Sequence, residues 1–225
     1  MSDPFYVNKL YPFQDTILQS IGSLTTGFYL TGGTALSRVY LEHRFSDDLD
    51  FFINNAEDFQ AQVETIIGFL KKSAWRFDLG ARANDFIRIF LQQDELRLKM
   101  DFVNDIETHF GELLESAIFP RIDSWRNILS NKICALSRQE AKDFADIIFI
   151  AGRYPFDWEE IIEEARQKDL WVEPVAISEL CHDIPADVFQ RIKWTQPVDC
   201  QKLHQRIQMI AKDILLGRPN SLQHG

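Results

Sequence analysis

Apolar residues recur at helical spacing between Tyr11 and about Thr25, at Phe13, Ile17, Ile21 and Leu24, which predicts an amphipathic first helix. The stretch "FYLTGG" reads as a short buried strand ending in a glycine turn, and Thr34 then opens a helix carrying Leu36, Val39 and Tyr40. "DLDFFI" predicts a second strand. "AEDFQAQVETIIGFLKKS" predicts a helix with Phe59, Val63, Ile66, Ile67 and Leu70 turned inward. Strand-like stretches follow at Trp75–Leu79, Phe86–Leu91 and Leu96–Val103, the last two flanking the turn "QQDE". Beyond about Ile106 helical periodicity dominates, in "SWRNILSNKICALSRQ", "EAKDFADIIFIAG", "DWEEIIEEARQKD" and "CQKLHQRIQMIAKDILLG". The terminal "RPNSLQHG" reads as a frayed tail. Strands mixed with helices, then helices alone, predict an α+β fold: an α/β domain over residues 1–105, a helical domain over 106–217 and a tail over 218–225.

With 225 residues and 45% hydrophobic content, the chain has material for a globular core in one large domain or two small ones. The start, "MSDPFYVNKLYPFQDT", has no basic region leading into an apolar run, so no secretory signal is expected. The longest apolar runs are too short to span a bilayer, so no membrane partner is expected either. Cys134, Cys181 and Cys200 are widely spaced, which argues against a zinc site or a disulfide framework and suits a cytoplasmic location. The formal net charge of −10 argues against a broad basic surface for nucleic acid but leaves room for a local basic cleft. Acidic chains also bind divalent cations, so the question becomes whether the carboxylates converge.

Side chains of a strand alternate between faces, so Asp48 and Asp50 of "DLDFFI" point the same way. "RLKMDFV" places Asp101 in the same apolar–acid–apolar setting, with Lys99 on its face to neutralise the acids or meet a triphosphate. If the two strands are neighbours, three carboxylates meet near the sheet edge, and they repel unless a cation compensates them. Hard oxygen ligands suit Mg²⁺. Gly32 and Gly33, between a strand and a helix, let a phosphate approach free backbone N–H groups, and Thr34 adds a hydroxyl. An isolated D-x-D is a common solvated pattern, and a Gly-Gly turn alone is usually backbone geometry. Their order, with a later strand-borne Asp101, points to a phosphate cradle ahead of a metal-binding set.

These residues resemble a known family. "GGTAL…YLEHRFSDDLDFF" looks like the signature of the AbiEii/AbiGii toxin family, the MenT-type nucleotidyltransferases of the DNA polymerase β-like superfamily. Gly32, Gly33, Arg44, Ser46, Asp48 and Asp50 stand at its positions, and Thr34 stands where many members have serine. "NKICALSRQEAKDFADIIFI" is similar to the later helical block, through Lys132, Arg138, Lys142, Asp143 and Asp146. If one helix runs through that block, Lys132 and Asp143 lie close to three turns apart on one face, with Asp146 one turn further. An ordinary amphipathic helix with paired Lys and Asp has the same spacing.

The resemblance implies a polymerase β-like domain with a mixed sheet, followed by a helical domain. It implies catalytic roles for Asp48, Asp50, Asp101, Lys132 and Asp143, the three strand aspartates holding Mg²⁺ as a two-ion site once an NTP is bound. Nucleotide contacts are implied for Gly32, Gly33, Thr34, Arg44, Ser46, Lys132 and Asp146. The implied reaction moves a nucleoside monophosphate from an NTP to an acceptor, with RNA at a tRNA 3′ end as one such acceptor. The protein would then be the toxin of a toxin–antitoxin pair with a cognate antitoxin. Transfer to a protein hydroxyl or to a small molecule such as an aminoglycoside, and a non-catalytic nucleotide-binding module, are the alternatives. Arg38 and Arg44 could meet phosphate or pair with nearby acids. His43 reads as a loop residue, and Trp158, Trp171 and Trp194 as packing.

Overall fold

The computed structural model describes residues 3–73 and 75–224. The chain folds as two compact units. The first comprises the residues up to Tyr40 and those from Phe45 to Ser124; the second comprises Leu41–Arg44 and the residues from Trp125 onward.

Five strands build the first unit: β1 (Tyr29–Thr31), β2 (Leu49–Asn54), β3 (Arg76–Arg82), β4 (Phe86–Gln93) and β5 (Leu96–Asp105). They form one sheet in the order β1-β2-β5-β4-β3. Only β2 and β5 run parallel among the named pairings, so the sheet is mixed. The parallel pair needs a long crossover, and α3 (Phe59–Lys72) with the β3–β4 hairpin supplies it. Its register sets Asp50 against Asp101.

The period-two pattern sorts the sheet faces. Leu49, Phe51, Ile87, Ile89, Leu91, Leu98, Met100 and Phe102 are buried on one face. Phe51 stacks on Phe102 with ring centroids 5.1 Å apart, and Phe28 meets Phe102 edge-on at 5.2 Å and Phe59 of α3 at 5.9 Å. Asp50, Arg88, Lys99 and Asp101, at the alternate positions, share the opposite face. The first helix, α1 (Tyr11–Gly22), follows a wide helical turn at Tyr6–Leu10. The next, α2 (Gly32–Ala35), begins at the glycines rather than at Thr34 and continues through the wider turn Leu36–Tyr40.

The sequence boundary near residue 105 moves. Residues 106–124 carry no helix, and helical structure resumes only at α4 (Trp125–Ala135). The intervening segment is tied to the sheet. Ile122 bridges Leu30, while Arg121 donates to the carbonyls of Phe28 (2.9 Å) and Thr26 (2.6 Å).

The second unit continues with α5 (Ala141–Arg153), α6 (Trp158–Lys168), α7 (Pro174–Asp183) and α8 (Cys200–Leu215). The sequence reading missed α7, which places Pro174 in its first turn and buries Ile177 and Cys181. Among the described residues no helix is long and apolar enough to cross a membrane.

The expected frayed tail is also corrected, apart from Gly225, which lies outside the described residues. Asn220 is buried, and its amide donates to the carbonyls of Ala151 (2.6 Å) and Tyr154 (3.0 Å). Ser221 donates to Asp213 through its backbone N–H (3.0 Å) and its hydroxyl (2.7 Å). Asn220→Ala should therefore lower stability by about 1–3 kcal/mol, the cost of leaving buried carbonyls without donors. Chemical denaturation would show this as a lower midpoint, where a frayed tail would give no change.

Candidate active site

Asp50 and Asp101 lie on one face of the interior strands β2 and β5 rather than at the lateral edge, and Asp48, expected on the same strand as Asp50, stands just ahead of β2. Two side chains from that face compensate them. Lys99 Nζ lies 2.7 Å from Asp48 Oδ2 and 3.7 Å from Asp101 Oδ2. Arg88, paired with Asp101 across β4 and β5, donates from Nε and Nη2 to both Asp101 oxygens at 2.7 Å each. The hydrogen bond to Asp101 raises the pKa of Arg88, helped by the charges of Asp101, Asp48 and Asp50. Burial would lower that of Lys99, but the bond to Asp48 and the three carboxylates raise it. Both are firmly cationic. Among the described residues no three His, Cys, Asp or Glu side chains are placed together to hold a metal ion, and Asp48 and Asp101 are engaged by Lys99 and Arg88.

The glycine turn sits directly against this face. Gly32 has φ +66°, and a Cβ there would lie 2.6 Å from Asp50 Oδ2. Glycine is required twice, for the backbone and for the space. Gly33 follows in the first turn of α2, where helical N–H groups lack intrahelical partners.

Thr34 and Ser46 correct the expectation that their hydroxyls meet nucleotide. Thr34 is fully buried; its Oγ1 donates to the Asp48 carbonyl at 2.5 Å and lies 2.9 Å from Ser46 Oγ. Gln14 of α1 holds the same segment by donating to the carbonyls of Ser46 (3.1 Å) and Asp47 (3.2 Å). These groups fix the backbone that presents Asp48.

The remaining predicted residues gather in the second unit. The helix assumed to run from Lys132 to Asp146 is broken: Gln139 takes a left-handed conformation (φ 53°) and α5 restarts beyond it. Lys132 of α4 still reaches both acids of α5, with Nζ 2.6 Å from Asp143 Oδ1 and 2.9 Å from Asp146 Oδ2. The turn between helices brings them together, not three turns of one helix. Arg138 adds a 3.2 Å contact to Asp143.

Arg44 and Asp146, both expected at the nucleotide, are buried and engaged with each other. Arg44 donates from Nε and Nη2 to the two Asp146 oxygens at 2.7 Å each. His43 lies in a loop, as expected, but is buried and engaged: its Nε2 lies 2.8 Å from Asp146 Oδ1, and its Nδ1 is buried without a hydrogen-bond partner. Burial lowers the pKa of His43, so the ring is neutral and Nε2–H donates. Burial alone would raise Asp146, but Arg44 and Lys132 hold it well below the carboxylate range. Burial would lower Lys132, but Asp146 and Asp143 raise it.

Arg88, Asp123 and the partners of Asp123 escaped the sequence reading. Arg88 lay in a strand read only for its apolar positions. Asp123, fully buried, accepts from Thr31 Oγ1 at 2.5 Å and pairs with His109 Nε2 at 2.9 Å. They anchor residues 106–124 to β1, a long-range role with no local sequence signal.

The sign of the acid response follows from these shifts. The contribution of Asp146 is present above its ordinary value of 3.8 and is lost as pH falls through its lower folded value. His43 binds a proton more readily unfolded than folded, so stability also declines once pH falls below its ordinary 6.5. Denaturation midpoints measured against pH should show a decline beginning near 6.5, and His43→Gln should remove that upper part while leaving the steeper loss below pH 4.

A profile of the nucleotidyl transferase AbiEii toxin family, type IV toxin–antitoxin system, matches residues 16–220. No curated protein sequence matches the chain. Among solved structures, the JHP933 protein of Helicobacter pylori is similar with a TM-score of 0.64 at 22% identity, over 96% of this chain and 94% of its own. The MenT4 nucleotidyltransferase toxin of Mycobacterium tuberculosis is similar with a TM-score of 0.61 at 17% identity, over 96% of this chain and 85% of its own. At these identities the likeness speaks for the fold alone, a mixed sheet followed by helices. The profile match spans nearly all of the sequence, and the chain belongs to the nucleotidyl transferase AbiEii toxin family of type IV toxin–antitoxin systems.

Proposed function

We propose that this nucleotidyltransferase moves a nucleoside monophosphate from an NTP to the 3′ end of a tRNA in a Mg²⁺-dependent reaction, and that a cognate antitoxin restrains it. The observation that supports this most is the pairing of Asp50 with Asp101 on adjacent parallel strands, with the Gly32 turn 2.6 Å from Asp50 at its missing Cβ. Asp48, Asp50 and Asp101 are the residues that would hold Mg²⁺. Their oxygens are the right donors for a hard cation, and the absent side chain at Gly32 keeps the approach open. Bound there, the ion would offset phosphate charge and favour the deprotonated acceptor hydroxyl.

The chain's own groups do the rest. The N–H groups of Gly32 and Gly33 are suited to a phosphate oxygen at the start of a helix. Thr34 and Gln14 keep Asp48 in place from behind. We assign Lys132 to phosphate charge and Asp143 to orienting it, because their 2.6 Å contact fixes the ammonium at the end of a flexible stem. Arg44 and Asp146 then act as the support beneath that pair, a reassignment that their burial favours over direct nucleotide contact.

The test is incubation of the purified protein with each α-labelled NTP, Mg²⁺ and total cellular RNA. One NTP should label RNA of tRNA size, and Asp50→Ala should reduce labelling by at least about a hundredfold, the scale of losing one preorganised electrostatic contact. Its fold should persist, since Lys99 and Arg88 keep their pairings with Asp48 and Asp101. Label passing to a protein or small molecule while RNA stays unlabelled would overturn the acceptor assignment.

A further inference from the structure

The acid face holds one cation that the nucleotidyl-transfer reading leaves without a task. Arg88 occupies both oxygens of Asp101 at 2.7 Å, a two-point pairing whose geometry a phosphate group matches equally well. Its side chain is 35% exposed, so it can leave without disrupting the core. While it holds Asp101, its guanidinium carbon also lies 5.2 Å from the ring centre of Phe86, two residues earlier on the same strand face, a contact that can keep the group near the site when it swings off the carboxylate. Lys99 differs, being 28% exposed and committed mainly to Asp48.

Charge decides what this pairing does to an incoming ion. Three carboxylates stand against two fixed cations on this face, leaving a net charge of about −1, too little to draw a divalent ion strongly from water. A cation placed on Asp101 also meets the guanidinium already there. Removing Arg88 from Asp101 relieves both obstacles, and an NTP triphosphate supplies the alternative anion that can take it.

We propose that Arg88 is a gate on the metal site: it holds Asp101 closed to divalent cations until a nucleotide triphosphate draws the guanidinium away, so that metal and nucleotide bind together. Arg88 is thus a positioning residue for Asp101 and a phosphate ligand once exchanged. This rests on the reading of the acid face as a metal site, and the experiment separates the two.

Mn²⁺ binding is measured by titration calorimetry on the nucleotide-free protein and again with a non-hydrolysable NTP analogue. The native protein should bind Mn²⁺ weakly alone and much more tightly with the analogue. Arg88→Gln should bind Mn²⁺ alone about ten- to a hundredfold more tightly than the native protein, the scale on which groups bonded to metal ligands alter affinity. The dependence on the analogue should shrink to match. Adding Asp101→Asn to Arg88→Gln should abolish the gain. Circular dichroism confirms that each variant is folded, and Arg88→Lys, which keeps the charge, should restore weak binding. If the native protein binds Mn²⁺ with the analogue but Arg88→Gln shows no tightening without it, the gate is overturned while the metal site stands. If no protein binds Mn²⁺ under either condition, the metal site and the gate fall together.

Discussion

Like charges on adjacent strands set the terms for the first unit. Parallel pairing of β2 with β5 puts Asp50 beside Asp101, and Asp48, just ahead of β2, reaches Lys99 on the same side. A cluster of carboxylates on a half-buried surface requires positive charge nearby. Lys99 and Arg88 provide it from the same face, and along β5 the charged Arg97, Lys99 and Asp101 alternate with Leu98, Met100 and Phe102. The core face is free to pack phenylalanines because every charge on these central strands has been sent to the other side. Apolar packing and charge are separated across the thickness of one sheet.

The second unit handles charge differently, by burying it. Asp143 and Asp146 are fully enclosed, and Lys132, Arg44, Arg138 and His43 satisfy them from several elements. Buried ion pairs contribute little net stability compared with apolar packing, while breaking one leaves a charge stranded. Such a network fixes geometry rather than adding stability. Lys132, barely exposed at 8%, is held charged and in place by Asp143 and Asp146. The neutral His43 completes the acceptors of Asp146 without adding a charge.

Much of the fold was legible because it rests on local periodicity. The alternation in "DLDFFI" and "RLKMDFV" already placed Asp50 and Asp101 on strand faces, and the glycine pair marked the turn that Gly32 makes with its positive φ. What could not be read was long-range. The partner of Arg44 lies 102 residues away, and nothing local distinguishes a phosphate-binding arginine from one serving a buried aspartate. Arg88 was hidden for the same reason, since strand register decides that it faces Asp101. The segment 106–124 carries a weak periodic signal that tertiary anchoring through Asp123, Arg121 and Ile122 overrides. Thr34 shows the reverse error: a hydroxyl beside a glycine turn suggests phosphate, yet full burial commits it to backbone.

The proposed function requires nucleotide and divalent cation to meet on the acid face. A crystal structure of the protein with Mn²⁺ and a non-hydrolysable NTP tests that most directly, because the anomalous signal of manganese locates the ion without reference to activity. The expected result is manganese bridging Asp50 and Asp101, with the triphosphate over Gly32 and Gly33. Nucleotide bound away from the glycine turn, with Asp101 still clasped by Arg88 and no manganese between the two strands, would contradict it.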